Sequence, residues 1–191
     1  ATISIAYEFV IPEYGTDRMG QLKTRNGTIY EVAQWYPRMA VYDDVQGWNV
    51  LPYIGAGEFY LGYGNFDYRI TAPAGMIVVA SGALQNEGEV FNATQQTRLD
   101  NARNSDKTVL VRTAAEVADK KQKSAGGTQS WRFKIENARD VAWAASRAFV
   151  LDAARINLPS GKKALAMSAY PVESIKKDGW QRSTEMTKAS I

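Results

Sequence analysis

Residues 66–84 read FDYRITAPAGMIVVASGAL, and this stretch predicts the fold class of the chain. Apolar and polar side chains alternate over residues 66–71, which is the pattern of a half-buried β-strand. Residues 73–75, Pro-Ala-Gly, are a turn signal. Residues 76–80 then form a short apolar run, as expected of a strand that is covered on both faces. The stretch therefore predicts two strands joined by a tight turn.

Similar patterns occur along most of the chain. Ile3, Ile5, Tyr7 and Phe9 alternate with polar or small residues, so the start of the chain is predicted to be a strand. Residues 17–27 are predicted to be a polar loop that contains an Asn-Gly turn. Further strands are predicted at residues 29–34, 107–112, 130–136, 141–145 and 163–170. Many short strands separated by turn signals indicate a sandwich or an open multi-sheet domain.

Three segments have helical rather than strand character. Asn92 or Thr94 can cap a helix that ends near Arg103, and residues 114–121 can form a second short helix. Near the end of the chain, helical spacing relates four residues: Trp180, Thr184, Thr187 and Ile191. The predicted fold is mainly β, a multi-sheet β sandwich or saddle-like domain with one or two short helices and a truncated C-terminal helix. We expect the β domain to span residues 1–173 and a second domain to begin with residues 174–191.

The composition excludes several classes of function. The 191 residues contain no histidine and no cysteine, so this chain cannot build a Ser-His-Asp or Cys-His nucleophile, a disulfide or a His/Cys zinc site. The net charge of +3 is small and the charges are dispersed, which argues against nucleic acid as a partner. Lys120, Lys121 and Lys123 are interpreted as a solvated turn flank. No apolar run is long enough for a membrane span. The chain begins inside a strand pattern without an initiator Met, so we expect an internal piece of a longer protein.

Residues 34–48, QWYPRMAVYDDVQGW, are too aromatic for a plain surface loop and too polar for a core strand, which is typical of the wall of a binding site. For Gln34, spacing alone favours an amide that pins a loop over a ligand contact. Asp43 and Asp44 are adjacent and on a strand would point to opposite faces, so a strand-end or capping role is favoured over a metal site. The five Trp and ten Tyr leave a second interpretation open: an aromatic-rich β-sandwich binding module for glycan or protein.

Several strings in this sequence resemble one family. They are IYEVAQWYPRMAVYDDVQGW at residues 29–48, the stretch at residues 66–84, NARNSDK at residues 101–107 and ENARDVAWAAS at residues 136–146. Together they resemble the N-terminal β domain of the aminopeptidase N family of zinc metallopeptidases, the gluzincins, in its bacterial form. WQRSTEMTKASI at residues 180–191 resembles the first helix of that family's thermolysin-like catalytic domain. The resemblance runs over the whole chain.

The resemblance implies a parent enzyme that hydrolyses peptide bonds from the N-terminus of its substrate. The family's single zinc ion lies in an H-E-x-x-H motif that this chain does not contain, so no cofactor and no catalytic residue is expected here, and the chain alone should be inactive. By resemblance, Gln34 recognises the substrate amine through its carbonyl oxygen, and Trp35 and Tyr36 line the pocket nearby. The implied partners are a peptide substrate and the parent's own catalytic domain. A family member that has lost its zinc ligands and acts as a scaffold is a further alternative. The cellular location stays open, with a soluble, exported or periplasmic parent as one option.

Overall fold

The computed structural model describes residues 2–13, 18–52, 55, 59–119 and 126–191. Strands make up 38% and helices 19%, which confirms the predicted mainly β, multi-sheet fold. The strands are β1 Met19–Lys23, β2 Thr28–Val32, β3 Tyr42–Asp43, β4 Gly47–Trp48, β5 Gly64–Pro73, β6 Ile77–Ala80, β7 Ala83–Leu84, β8 Val109–Arg112, β9 Thr128–Ala138, β10 Trp143–Ser146, β11 Phe149–Asn157 and β12 Lys163–Pro171. The helices are α1 Glu87–Val90, α2 Ala93–Arg103, α3 Ala114–Ala118 and α4 Ser183–Ala189, with 3₁₀ turns at Val172–Ser174 and Trp180–Arg182.

The described strands form small antiparallel sheets around a shared core. One sheet has the order β1-β2-β10-β6, a second β12-β11-β8 and a third β5-β9-β7, while β3 and β4 form a separate hairpin. The longest ladder joins β5 to β9 and runs from the pair Gly64–Ala138 to the pair Pro73–Thr128. The main core contains buried side chains from all three larger sheets and from α2, among them Ile29, Leu99 and Trp131. The segment of residues 34–48 begins just after the end of β2, where the chain leaves the four-stranded sheet.

The tight turn predicted at residues 73–75 is present and has an additional role. The amide of Met76 donates to the carbonyl of Pro73 at 3.2 Å, and Gly75 adopts a φ of +84°, which favours glycine. β5 and β6 on its two sides do not pair with each other, because β6 hydrogen-bonds to β10 instead. The turn therefore carries the chain from one sheet into another and brings both sheets onto the same core.

The predictions for the first 27 residues are wrong in two places. Residues 2–9 form no strand: Ile3 and Ile5 are exposed, and Tyr7 stacks on Phe9 without any described strand beside them. Apolar alternation produces a strand only where another strand supplies hydrogen bonds. The segment predicted to be a polar loop, in contrast, contains β1. Its backbone pairs with the edge of β2, and backbone hydrogen bonds of this kind do not require apolar side chains. The Asn26-Gly27 turn is the bend of this hairpin, where Thr24 donates to the carbonyl of Gly27.

The predicted helices are present. Asn92 caps α2, accepting from the amide of Gln95 while the Gln95 side chain accepts from the amide of Asn92. Thr113 and Glu116 form the same reciprocal cap at the start of α3. The second helix is shorter than predicted because it ends at Ala118. The lysines at positions 120, 121 and 123 lie outside the described residues.

The central strand of the second sheet, β11, has no counterpart among the sequence predictions. Its first six residues, 149–154, are all buried. β11 pairs with β12 on one side and with β8 on the other, so both of its faces and both of its edges are covered. Asp152 and the small residues around it interrupt the apolar run, and for this reason no strand pattern is visible in the sequence.

Helix α4 is attached to β11 and β12 by a buried polar cluster. The hydroxyl of Thr184 donates to Asp152 Oδ1 at 2.5 Å and lies 2.8 Å from the hydroxyl of Ser168. The Tyr170 hydroxyl donates to Asp152 Oδ2 at 2.7 Å. Of the four residues at helical spacing, Thr184 is fully buried, whereas Trp180 and Ile191 are exposed. The division of the chain near residue 174 stays a prediction, and α4 packs directly on the β domain.

Burial raises the pKa of Asp152 above its ordinary value of 3.8, against the two hydroxyl donors, which lower it. The folded state therefore binds a proton more tightly than the unfolded state at this carboxyl group. Stability contributed by Asp152 is lost as pH rises from 3.8 through the folded pKa and is regained as pH falls. We expect the free energy of unfolding of the wild type, relative to that of Asp152→Asn, to increase on acidification from neutral pH. Urea unfolding of both proteins at several pH values measures this difference, and a flat or decreasing difference would contradict the assignment.

Candidate functional site: an aromatic groove after strand β2

Gln34 lies where the chain turns away from the four-stranded sheet. The amide of Ala33 still donates to the carbonyl of Arg18 at 2.8 Å, but Gln34 has a φ of +52°, in the left-handed region. A residue with a side chain rarely adopts this conformation, and the strain is concentrated at functional sites in many proteins. The Gln34 side chain is half-buried and makes no hydrogen bond to any residue in the described part of the chain. An amide that pins a loop would show such hydrogen bonds.

Trp35 anchors the segment to the core. Its indole Nε1 donates to the carbonyl of Val141 at 3.2 Å, and its ring packs against the main core cluster. The ring also meets Tyr36 edge-to-face, with a centroid distance of 5.3 Å. Because Trp35 is held on several sides, the backbone of Gln34 just before it is fixed as well.

Tyr36 and Arg38 converge on one carboxylate. The Tyr36 hydroxyl donates to Asp140 Oδ1 at 2.8 Å, and Arg38 Nη1 lies 3.4 Å from the same oxygen. The guanidinium of Arg38 also lies over the Tyr36 ring, 5.6 Å from its centroid. Burial, followed by the bond to Asp140, raises the pKa of the Tyr36 hydroxyl, so this hydroxyl stays protonated and acts as a donor. Asp140 lies in the string at residues 136–146, but no spacing rule linked it to Tyr36, 104 residues away.

A groove of about 410 Å³ runs beside this network. The segment before β5 and the start of β5 supply one side of the groove, and the segment after Trp35 supplies the other. Its walls are formed by Tyr36, Arg38, Met39, Ala40, Val41, Gly62, Tyr63, Gly64 and Phe66. Tyr36 meets Phe66 edge-to-face at 5.9 Å, and Arg38 Nη2 donates to the carbonyl of Gly62 at 3.4 Å across the groove. The groove thus combines aromatic walls with a cation and suits a small, partly apolar ligand.

A second, larger hollow of about 810 Å³ lies on the face of the four-stranded sheet. Glu31 and Ala33 of the segment that leads to Gln34 line it, together with small residues such as Gly20 and Ala144. Ala33 lines this hollow and Tyr36 lines the groove, so Gln34 lies in the chain between the two. Of the three predicted site residues, Tyr36 lines the groove and Trp35 supports it from the core, whereas Gln34 lines neither the groove nor the hollow.

The hairpin formed by β3 and β4 continues the same segment. Asp43 Oδ1 accepts from the amides of Val45 and Gln46, and Oδ2 accepts from the Asn49 side chain at 2.8 Å. These bonds, the one from Gln46 first, hold the pKa of the Asp43 carboxyl below its ordinary value. Asp43 therefore caps the hairpin turn, as expected from the adjacent pair of aspartates. Across the hairpin, Tyr42 and Trp48 meet edge-to-face at 5.2 Å, and both are more than half exposed.

Among the described residues there is no group of three or more His, Cys, Asp or Glu side chains placed to hold a metal ion. Within residues 2–13, 18–52, 55, 59–119 and 126–191, no helix has the length and apolar character of a membrane-spanning one.

Comparisons with known proteins returned no matching family profile, no matching curated protein and no matching solved structure.

Proposed function

We propose that this chain is the β domain of an aminopeptidase N-like zinc peptidase and that it forms one wall of the peptidase cleft. In this proposal the domain carries no catalytic residue. It supplies Gln34, whose side-chain oxygen accepts a hydrogen bond from the α-ammonium group of the substrate. The zinc ion and the residues that activate water belong to the parent's catalytic domain, which would close the other side of the cleft.

The observation that carries the proposal is the state of Gln34. Its backbone is held in the left-handed region while its side chain has no hydrogen-bond partner among the residues described. Trp35 and Tyr36, the next two residues, are each fixed by a hydrogen bond to the segment just before β10. A fixed backbone that presents a free amide is a preorganised acceptor, and preorganisation lowers the entropic cost of binding. The resemblance assigns amine recognition to this same residue.

Exposed apolar side chains in the segment after Gln34 are consistent with a large partner that packs on this segment. Met39 and Val45 are 67% and 86% exposed, and Val50 and Leu51 are 75% and 81% exposed. Isolated apolar residues are common on surfaces, whereas several within one short segment are what an interface with another domain would bury. A catalytic domain that packs on it would bury these side chains and would bring its own site next to the groove.

We expect substitution of Gln34 to weaken the recognition of substrates with a free amine. Gln34→Gly removes the amide and tolerates the positive φ, so the backbone should keep its path. In the full-length protein, kcat/KM for an aminoacyl anilide should fall about 10–100-fold, because a hydrogen bond to a charged group contributes about 1.5–3 kcal/mol. Steady-state kinetics, with and without a zinc chelator, measure this effect.

The matched control is Gln46→Gly, since Gln46 lies in the same segment with an exposed side chain that makes no hydrogen bond within the described residues. Its kcat/KM should equal that of the wild type. The proposal fails if both variants behave alike, or if the isolated chain hydrolyses the anilide in a chelator-sensitive way.

A second candidate function is a binding module for glycan. The exposed edge-to-face pair of Tyr42 and Trp48 is the observation that favours it, because flat aromatic rings stack on the apolar faces of sugars. A glycan array probed with the isolated chain distinguishes the two functions. Binding that disappears in Trp48→Ala and persists in Gln34→Gly would support the module and not the peptidase.

A further inference from the structure

The bend of the β1–β2 hairpin contains the one Asn-Gly pair in the sequence, Asn26-Gly27. Asparagine is chemically labile, and most of all before glycine, because no Cβ atom shields the amide of the following residue. The backbone nitrogen of Gly27 can attack the side-chain carbonyl carbon of Asn26, so that a succinimide ring closes. Asn26 Nδ2 leaves as ammonia with the proton of the attacking amide. Water then opens the ring and leaves aspartate or isoaspartate at position 26.

In the folded chain, Asn26 is bound by a carboxylate far along the sequence. The backbone amide and the side-chain Nδ2 of Asn26 both donate to Glu173 Oε1, each at 3.0 Å. Glu173 lies in the 3₁₀ turn that follows β12, so the contact joins the hairpin to another part of the domain. Although partial burial raises the pKa of the Glu173 carboxyl, hydrogen bonds from its own amide, from Thr24 and from Asn26 bring that pKa below its ordinary value of 4.5. The carboxylate is therefore charged at neutral pH and is a strong acceptor.

The contact with Glu173 opposes closure of the succinimide ring. The ring closes only when the Asn26 carbonyl carbon lies against the Gly27 nitrogen with the correct orientation. The bond from Nδ2 holds the side-chain amide against Glu173, and the bond from the backbone amide holds the main chain on the same oxygen. Reorientation of the side chain therefore costs a hydrogen bond to a charged group before the new covalent bond can form.

We propose that Asn26 is a site of deamidation and that Glu173 protects it for as long as the hairpin is docked. The protection is lost whenever the hairpin opens, and the product cannot restore the contact. The Nδ2 donor is then gone, and a second carboxylate lies against Glu173. Isoaspartate also lengthens the main chain at the bend of the hairpin. The proposal is independent of the peptidase function, since neither Asn26 nor Glu173 lines the groove.

The test follows residue 26 by mass spectrometry in the purified chain, which is incubated at mildly alkaline pH and digested at successive times. Glu173→Ala removes the acceptor, and Glu173 is exposed, so the variant should fold. With both proteins folded by circular dichroism, residue 26 should convert about 3–10-fold faster in Glu173→Ala than in the wild type, the factor expected from one hydrogen bond. The wild type unfolded in urea should convert at least as fast as folded Glu173→Ala.

Glu136→Ala is the matched control, because Glu136 is also exposed and its side chain makes no hydrogen bond within the described residues. Its residue 26 should convert at the wild-type rate. Glu173→Gln keeps a side-chain oxygen that accepts hydrogen bonds, so this variant should convert more slowly than Glu173→Ala.

Asn26→Asp reproduces one product of the reaction. Its equilibrium constant for unfolding should exceed that of the wild type, and the increase should be smaller when Glu173→Gln removes the second charge. The proposal is overturned if residue 26 converts in Glu173→Ala no faster than in the wild type. It is also overturned by slower conversion in Glu173→Ala, which would show that the carboxylate acts as a base for the Gly27 amide instead of protecting Asn26.

Discussion

Gly82→Ala should lower the free energy of unfolding by about 2–5 kcal/mol, combining a left-handed backbone penalty of about 1–2 kcal/mol with an overpacking cost of about 1–3 kcal/mol. Gly82 connects β6 to β7 with a φ of +95°. A Cβ atom there would lie 2.8 Å from the carbonyl carbon of Lys134 and 2.9 Å from Ile135 Cβ, so the backbone of β9 would have to move. Urea unfolding, followed by tryptophan fluorescence, measures the loss.

Gly88→Ala is the control for this prediction. No atom of the described residues lies within 4 Å of a Cβ built on Gly88, and its φ is not in the left-handed region. Alanine also favours the helix in which Gly88 lies, so its substitution should be neutral or should stabilise by up to about 1 kcal/mol. Equal stabilities for the two variants would show that β7 does not approach β9 as closely as described.

Arg112→Met should have an effect of similar size, because it removes a buried cation that joins three segments. Arg112 is 2% exposed, and its Nη1 donates to the carbonyls of Arg147 at 3.0 Å and Phe149 at 2.7 Å. Its Nη2 lies 3.5 Å from the carbonyl of Gly75, in the turn between β5 and β6. Burial lowers the Arg112 pKa to about 10, so the side chain is still protonated at neutral pH. Methionine has a similar length but removes these hydrogen bonds, including the fully buried one to the carbonyl of Phe149. Lost bonds of this kind cost about 1–3 kcal/mol each, so we expect a loss of about 2–5 kcal/mol.

The control for Arg112 is Arg69→Met. Arg69 is exposed on β5, and surface substitutions away from special features change stability by no more than about 0.5 kcal/mol. The same urea titration applies to both variants. A small loss for Arg112→Met, close to that of Arg69→Met, would mean that the three segments are held together by other contacts.

The sequence predicts elements well where one local signal is sufficient. The Pro-Ala-Gly turn, the alternating strand at residue 66 onward and the capped helix after Asn92 are of this kind, since turn chemistry, period and capping are each encoded within a few residues. β11 was not predicted because Asp152 and small residues interrupt its apolar run, and because one of the two strands that cover it, β8, lies much earlier in the sequence. The opposite error occurred between Ile3 and Phe9, where the local pattern predicted a strand but no strand among the described residues pairs with the segment.

In the candidate site too, features encoded within a few residues were predicted and contacts between distant segments were not. The sequence indicated an aromatic wall at residues 34–48, and Tyr36 does line a groove there. Asp140, which binds both Tyr36 and Arg38, was not predicted, because nothing in sequence connects a carboxylate to side chains about a hundred residues away. The positive φ of Gln34 is also invisible in the sequence, since Gln has no preference for the left-handed region.

The most direct measurement of the central claim compares two competitive inhibitors of the full-length protein, a dipeptide analogue with a free α-amine and its des-amino counterpart. The proposed contact between Gln34 and the amine predicts that the wild type prefers the free amine, that Gln34→Gly reduces this preference about 10–100-fold, and that Gln46→Gly leaves it unchanged. The des-amino inhibitor should bind the wild type and Gln34→Gly equally well. A preference for the amine that persists undiminished in Gln34→Gly would contradict the account.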